Sequence, residues 1–222
     1  MQETAARVIT AVILGSLFLL TYFYSQNLFS LLLFCIFLMI LIFEWPGIAR
    51  VNKKIWLLVP VYPLSPILSL MYLNHVYRSV NFLIPLYPFF VSWTADSFAY
   101  FAGRSFGRHK ISPSISPKKT WEGLLGSFLG VITFNFSLTY YSPFFGSLYF
   151  LSNSLLIVIM SIIFAIFAFF GDLFESYLKR KANLKDSGIL LFTHGGLLDR
   201  FDSVFFVVIV FLFLIKYYSC TG

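Results

Sequence analysis

Nine carboxylates are spread unevenly along this chain of 222 residues, and their placement is the first chemical signal. Glu3 and Glu44 stand at the entrance and exit of apolar stretches and read as ordinary boundary residues. The other seven are Asp96, Glu122, Asp172, Glu175, Asp186, Asp199 and Asp202, all in or beside two basic segments. Several border apolar sequence, where a charge is costly unless it is paired or functional. If a helix runs through them, Asp172, Glu175, Ser176 and Lys179 share one face; Asp199 and Asp202, three apart, share another. Two helix ends presenting carboxylates can supply oxygen ligands to a hard cation. Magnesium favours one or two carboxylates, some waters and the phosphate oxygens of a substrate. The competing reading pairs these acids with Lys179, Arg180 and Arg200 in interfacial salt bridges.

Two other groups suit phosphate. Thr193-His194-Gly195-Gly196 precedes Leu197-Leu198-Asp199-Arg200. Consecutive glycines let backbone N–H groups approach an anion, and a helix N-terminus adds a favourable dipole. His194 could donate to phosphate or shuttle a proton, or be structural. Ser116-Pro117-Lys118-Lys119-Thr120 sets two lysines between hydroxyls just before an apolar stretch, suited to a triphosphate or a lipid phosphate. Membrane topology alone also selects lysines there, and Trp121 fits an interfacial anchor. Asp96 lies inside an apolar stretch near Trp93 and Tyr100, and an intramembrane acid is a functional candidate by default.

The elements that position these residues follow from composition. Hydrophobic residues make up 59% and charged residues 11%, against roughly a quarter charged in soluble domains, which excludes a water-soluble globule. The apolar material comes in blocks of about 17–25 residues, enough to span the hydrocarbon as helices. The expected fold is an all-α polytopic bundle forming a single domain over 1–222. Seven spans are expected, at about 5–23, 27–43, 55–73, 80–102, 121–141, 149–170 and 203–219. Pro60, Pro63, Pro66, Pro85 and Pro88 should kink the third and fourth, which could instead form a re-entrant pair. The first block lacks a small-residue cleavage site and reads as a retained span. Cys35 and Cys220 suggest neither disulfide nor metal cluster.

Orientation follows from the basic residues. With the N-terminus in the cytoplasm, Arg7 and the basic residues of 50–54, 104–119 and 179–200 fall on the cytoplasmic side, leaving Arg78 and Lys216 opposite. This asymmetry is a strong positive-inside signal and puts the acid-rich segments in the cytoplasm. The net charge of +7 suits anionic lipid head groups and equally a polyanionic substrate.

At this point the residues resemble a known family. Ser176-Tyr177-Leu178-Lys179-Arg180, Lys185-Asp186-Ser187-Gly188 and the run from His194 to Ser203 look like the C-terminal signature of the CDP-diacylglycerol synthases (phosphatidate cytidylyltransferases). Ser116 to Gly123 is similar to that family's S-P-K-K-T-W-E-G segment, and Trp93, Asp96, Ala99-Tyr100 and Gly103 resemble the segment just upstream. Two departures stand out: Phe192-Thr193 replaces the family's usual proline and glycine, and the N-terminal half is short. The resemblance implies transfer of a cytidylyl group from CTP to phosphatidic acid in a cell (inner) membrane, with the site on the cytoplasmic side. It implies magnesium, with a second cation possible, at Asp96, Asp172, Asp199 and Asp202. Lys118, Lys119, Lys179 and Arg200 would neutralise phosphate, with Asp186 and His194 assisting and Ser116, Thr120, Gly195 and Gly196 contacting nucleotide. Expected partners are CTP, phosphatidic acid and membrane lipids, not nucleic acid; a homodimer is compatible with the residues. A CTP-dependent polyprenol kinase uses related groups, and a transporter would place acids at mid-depth in several spans.

Overall fold

The computed structural model describes residues 2–140, 153–188 and 195–221, with side chains from residue 12 to residue 217 of these. Seven helical rods account for nearly all of them. The first is α1 (Gln2–Tyr24). The second is α2 (Gln26–Met39), continued through a π turn (Ile40–Glu44) into the short α3 (Trp45–Ile48). The third joins a 3-10 turn (Lys53–Leu58), a π turn (Pro60–Leu64) and α4 (Ser65–Val76). Then come α5 (Tyr87–Phe106), α6 (Trp121–Tyr140), α7 (Ser154–Lys181) and α8 (Leu198–Thr221). The rods at Gln26–Ile48, Lys53–Val76, Trp121–Tyr140 and Ser154–Lys181 are individually long and apolar enough to cross a membrane. Their outer faces carry large apolar side chains such as Leu57, Leu129 and Leu155, as a lipid-facing surface requires. The all-α, membrane-embedded fold expected from the sequence is therefore observed.

Prolines set the irregular starts. Pro46 cannot donate a backbone hydrogen bond, and its ring crowds the carbonyl four residues back. The second rod widens into its π turn just before Pro46. Pro85 and Pro88 sit at the first positions of a 3-10 turn (Ile84–Leu86) and of α5, so the fourth rod runs from 84 to 106 instead of the expected 80–102. A feature the sequence did not announce lies between α5 and α6. The antiparallel strands β1 (Lys110–Ser112) and β2 (Ser116–Thr120) form a small hairpin, the only strands among the described residues.

The rods pack in sequence, α5 along α6, α6 on α7 and α7 on α8. Gly123, Gly126 and Gly130 bring α6 close to α5: a Cβ at Gly126 would approach the Phe98 carbonyl oxygen to 2.9 Å. Buried polar groups are matched across the bundle. The Tyr87 hydroxyl donates to Asn135 Oδ1 (2.8 Å), and Asn135 Nδ2 donates to Ser161 Oγ (2.8 Å).

The two ends of the bundle differ. At one, Gln26 Nε2 donates to the carbonyls of Asn74 (2.8 Å) and His75 (2.9 Å), and the Arg78 guanidinium packs over the Tyr22 ring. At the other, Glu44, the hairpin, the end of α7 and the start of α8 converge. The acid-rich segments meet only at this second end.

Candidate active site

Helix α7 runs without interruption to Lys181, well past Phe170, and so places Asp172, Glu175, Ser176 and Lys179 on one face. It ends with Asn183 in a left-handed conformation (φ 57°). There Leu184 N–H donates to the Lys179 carbonyl (2.8 Å) and Asn183 N–H to that of Arg180 (3.0 Å), a helix-stop pattern that turns the chain back. The turn returns Lys185, Asp186 and Ser187 toward α8. Gly171 lets α8 lie against α7, since a Cβ there would come within 2.9 Å of Ser203 Cα. Asp202 is thereby set beside Asp172.

Two adjoining clusters result. The first surrounds a cavity of about 290 Å³ between α5, the hairpin, α6 and α7, lined by Asp96, Ser116, Lys118, Lys119, Thr120 and Asp172 among others. The hairpin presents the lysines here. Lys119 Nζ pairs with Asp172 Oδ2 (2.9 Å), donates to the Phe169 carbonyl (3.1 Å) and lies 4.2 Å from the Phe169 ring centre. Lys118 is exposed beside it. Thr120 is buried, and its Oγ1 accepts from Gly123 N–H (3.1 Å), capping α6. Ser203 Oγ donates to Asp96 Oδ1 (3.3 Å), and Asp202 is close enough to feel the charges of Asp172, Asp96 and Lys119.

The second cluster lies where α7 meets the start of α8. Lys179 Nζ stands 2.6 Å from Glu175 Oε2 and 2.5 Å from Asp199 Oδ1. Asp199 Oδ2 accepts from Ser187 N–H (3.1 Å), Ser187 Oγ (3.0 Å) and Gly196 N–H (2.7 Å). Burial opposes ionisation of Asp199, but the hydrogen bond and charge of Lys179 and the Gly196 amide outweigh it, holding the carboxyl at about 2.

This arrangement bears on two sequence expectations. Gly195 and Gly196 were expected to offer backbone amides to a phosphate, yet Gly196 N–H is spent on Asp199, and those of Leu197 and Leu198 on Glu44. Gly195 is required by its left-handed backbone (φ 78°). Asp199, expected among the metal ligands, accepts from Lys179, Ser187 and Gly196, and Asp172 is likewise paired with Lys119, so either would ligate a cation by exchanging a lysine for it. The acids do pair with Lys179, as the salt-bridge reading held, and also with Lys119. Arg180 binds backbone instead, donating to the carbonyls of Ile115 (3.2 Å) and Leu184 (3.0 Å).

Of the remaining candidates, Asp186 is exposed on the turn near Gly195, and Arg200 is exposed on the first turn of α8. His194 and Phe192-Thr193 lie outside the described residues. Glu44 is the residue that sequence reading misjudged. Taken as an ordinary boundary acid, it is fully buried and accepts from Leu197 N–H (2.6 Å), Leu198 N–H (2.9 Å) and Ser187 Oγ (3.1 Å). The available signal was an acid followed by Trp45-Pro46-Gly47 with no basic residue one turn away.

Magnesium can be tested against this geometry. Among the described residues, no three His, Cys, Asp or Glu side chains converge to hold a metal unaided. Asp96 and Asp172 nevertheless both line the cavity, with Asp202 behind them and Lys119 the cation paired there. Two carboxylates with water and substrate phosphates completing the shell is the usual magnesium arrangement, so the donor set fits.

A polytopic helical membrane protein with an interfacial cluster of carboxylates and lysines around a small cavity is built to handle phosphate groups. Residues 57–218 match the Cytidylyltransferase family, and the chain belongs to that family. It is 34% identical over 213 residues to a phosphatidate cytidylyltransferase of Rickettsia felis, covering 96% of this chain and 92% of the relative. Identity to the Rickettsia typhi protein of that name is 37%, covering 95% and 91%. A phosphatidate cytidylyltransferase of Haemophilus influenzae is 40% identical over 119 residues, 54% of this chain and 41% of the relative. The shortness noted in the sequence is thus relative to proteins such as the last, not to the Rickettsia relatives.

Proposed function

We propose that this protein is a CTP:phosphatidate cytidylyltransferase, forming CDP-diacylglycerol and pyrophosphate. The observation that carries the reading is the cavity in which the hairpin lysines meet the carboxylates of α5 and α7, in a chain whose near-full-length relatives bear that name. A lipid phosphate oxygen forms a bond to the α-phosphorus of CTP while the bond to the bridging oxygen breaks, and pyrophosphate leaves with that electron pair. Both reactants are anions, so positioning and charge neutralisation carry most of the catalysis.

Lys118 and Lys119 neutralise phosphate oxygens, with the Ser116 and Thr120 hydroxyls as donors. Lys119 is aimed into the cavity by Asp172 and the Phe169 carbonyl. Asp96 and Asp172, supported by Asp202, would hold a divalent cation, magnesium, which would screen the triphosphate charge when bound. Asp199 fixes the Lys179 ammonium and ties the 185–188 turn to α8. On the same segment of sequence, Arg200 adds positive charge, Asp186 orients the neighbouring basic groups and His194 serves as a donor to phosphate.

The protein crosses the inner membrane seven times with its N-terminus and site in the cytoplasm. The convergence of the three basic segments at one end of the bundle supports this orientation. That same one-ended placement disfavours a transport path, which needs acids along its length. Pyrophosphate release tests the reaction. Purified protein with CTP and phosphatidate should release one pyrophosphate per phosphatidate consumed; release of CDP without pyrophosphate would mark a kinase instead.

A further inference from the structure

We infer that Glu44 is a positioning residue for cytidylyl transfer, its carboxylate clamping Ser187 and the first turn of α8 so that Asp199, Lys179 and Asp202 stand in register with the cavity. The inference rests on the proposed reaction and deepens it.

Three features of the chain converge on this one carboxylate. The π turn before Pro46 ends at Glu44 and sets its side chain against a helix start 153 residues later. Gly196 leaves it room, since a Cβ there would lie 2.8 Å from Glu44 Cδ and Oε1. Gly188 does likewise, with a Cβ 2.8 Å from Glu44 Cγ. Gly196, which reads in the sequence as part of an anion cradle, therefore accommodates an anion the protein supplies itself.

Packing alone does not account for the residue. A buried carboxylate contributes less to stability than a well-packed apolar side chain of similar volume. What Glu44 adds is direction. The first amides of a helix have no partner within it, and Glu44 satisfies those of Leu197 and Leu198 from a different rod. Ser187 Oγ lies between Glu44 Oε2 (3.1 Å) and Asp199 Oδ2 (3.0 Å). The 185–188 turn, the start of α8 and the second rod are thereby joined as one body. Asp199 Oδ1 is left to Lys179, and Asp202, one turn on, is carried with the same helix. A slip of about 1 Å in such a constellation costs on the order of 10²-fold in rate.

Glutamine at 44 keeps the shape but only one acceptor oxygen, so one of the two amides then faces an NH₂ group. In purified protein assayed with CTP and phosphatidate, Glu44→Gln should lower kcat by about 10²-fold while the KM for CTP changes less than about threefold, because the phosphate-binding lysines sit on the hairpin. Ser187→Ala, which removes the hydroxyl between Glu44 and Asp199 and keeps both amide bonds to Glu44, should lower kcat by about tenfold. Ile48→Ala, a core truncation on the same rod, should lower thermal stability and leave kcat per folded molecule unchanged. Wild-type kcat in folded Glu44→Gln overturns the inference, as does a loss that only follows the loss of folded protein seen in Ile48→Ala. Should Glu44→Gln fail to fold, an unimpaired Ser187→Ala overturns it instead. Wild-type protein that makes no CDP-diacylglycerol overturns the proposed reaction and this role with it; active wild type with unimpaired variants overturns the role alone.

Discussion

Asp199→Asn removes one charge and one acceptor from the centre of the second cluster. Asparagine offers a single oxygen where the carboxylate serves Lys179 on one side and Ser187 and Gly196 on the other. If that oxygen faces Lys179, the amides of Ser187 and Gly196 lose their partner, at about 1–3 kcal/mol for each buried donor. If it faces the amides, Lys179 loses a charged hydrogen bond worth about 1.5–3 kcal/mol and keeps only Glu175. Asparagine takes the cheaper orientation, so the cost is about 1.5–3 kcal/mol. Felt in full at the transition state, that is roughly 10- to 150-fold in rate. The assay is turnover of radiolabelled CTP per folded molecule, with folding judged by size-exclusion profile and thermal midpoint. Activity within about threefold of wild type, at unchanged stability, would refute the claim that Asp199 organises the site.

Two further outcomes follow from the same geometry. Lys119→Met abolishes the pair with Asp172 and the bond to the Phe169 carbonyl, and kcat/KM for CTP should fall by about 10²-fold or more in folded protein; an unchanged value would remove the hairpin from the site. Cysteine in place of Pro113, exposed at the hairpin tip, should react with an impermeant thiol reagent only from the cytoplasmic side. Cysteine in place of Ser79 should react only from the opposite side, and labelling of both from one side would contradict seven spans.

The membrane fold was legible because it rests on composition and block length, both local properties. The rods at Gln26–Ile48 and Trp121–Tyr140 lie within a few residues of their expected places, since an apolar block bounded by polar residues has few alternatives. The fourth rod was displaced because Pro85 and Pro88 act as helix starters, whereas an apolar count extends through them. The hairpin was not legible: Ser116-Pro117-Lys118-Lys119-Thr120 is short and polar, and its pairing with 110–112 depends on the helices it connects. Asp172, Glu175, Ser176 and Lys179 were legible as a face because helical spacing alone dictates it. Which carboxylate pairs with which lysine was not, because Lys119–Asp172 and Lys179–Asp199 join residues 53 and 20 apart. Glu44 was hidden for the same reason, its partners lying 143 to 154 residues downstream.

The account turns on which phosphate of CTP ends in lipid. In proteoliposomes of the purified protein with phosphatidate and magnesium, label at the α-phosphate should appear in CDP-diacylglycerol and label at the γ-phosphate only in pyrophosphate. Lipid carrying the γ-label, or no labelled lipid from folded protein, would contradict cytidylyl transfer.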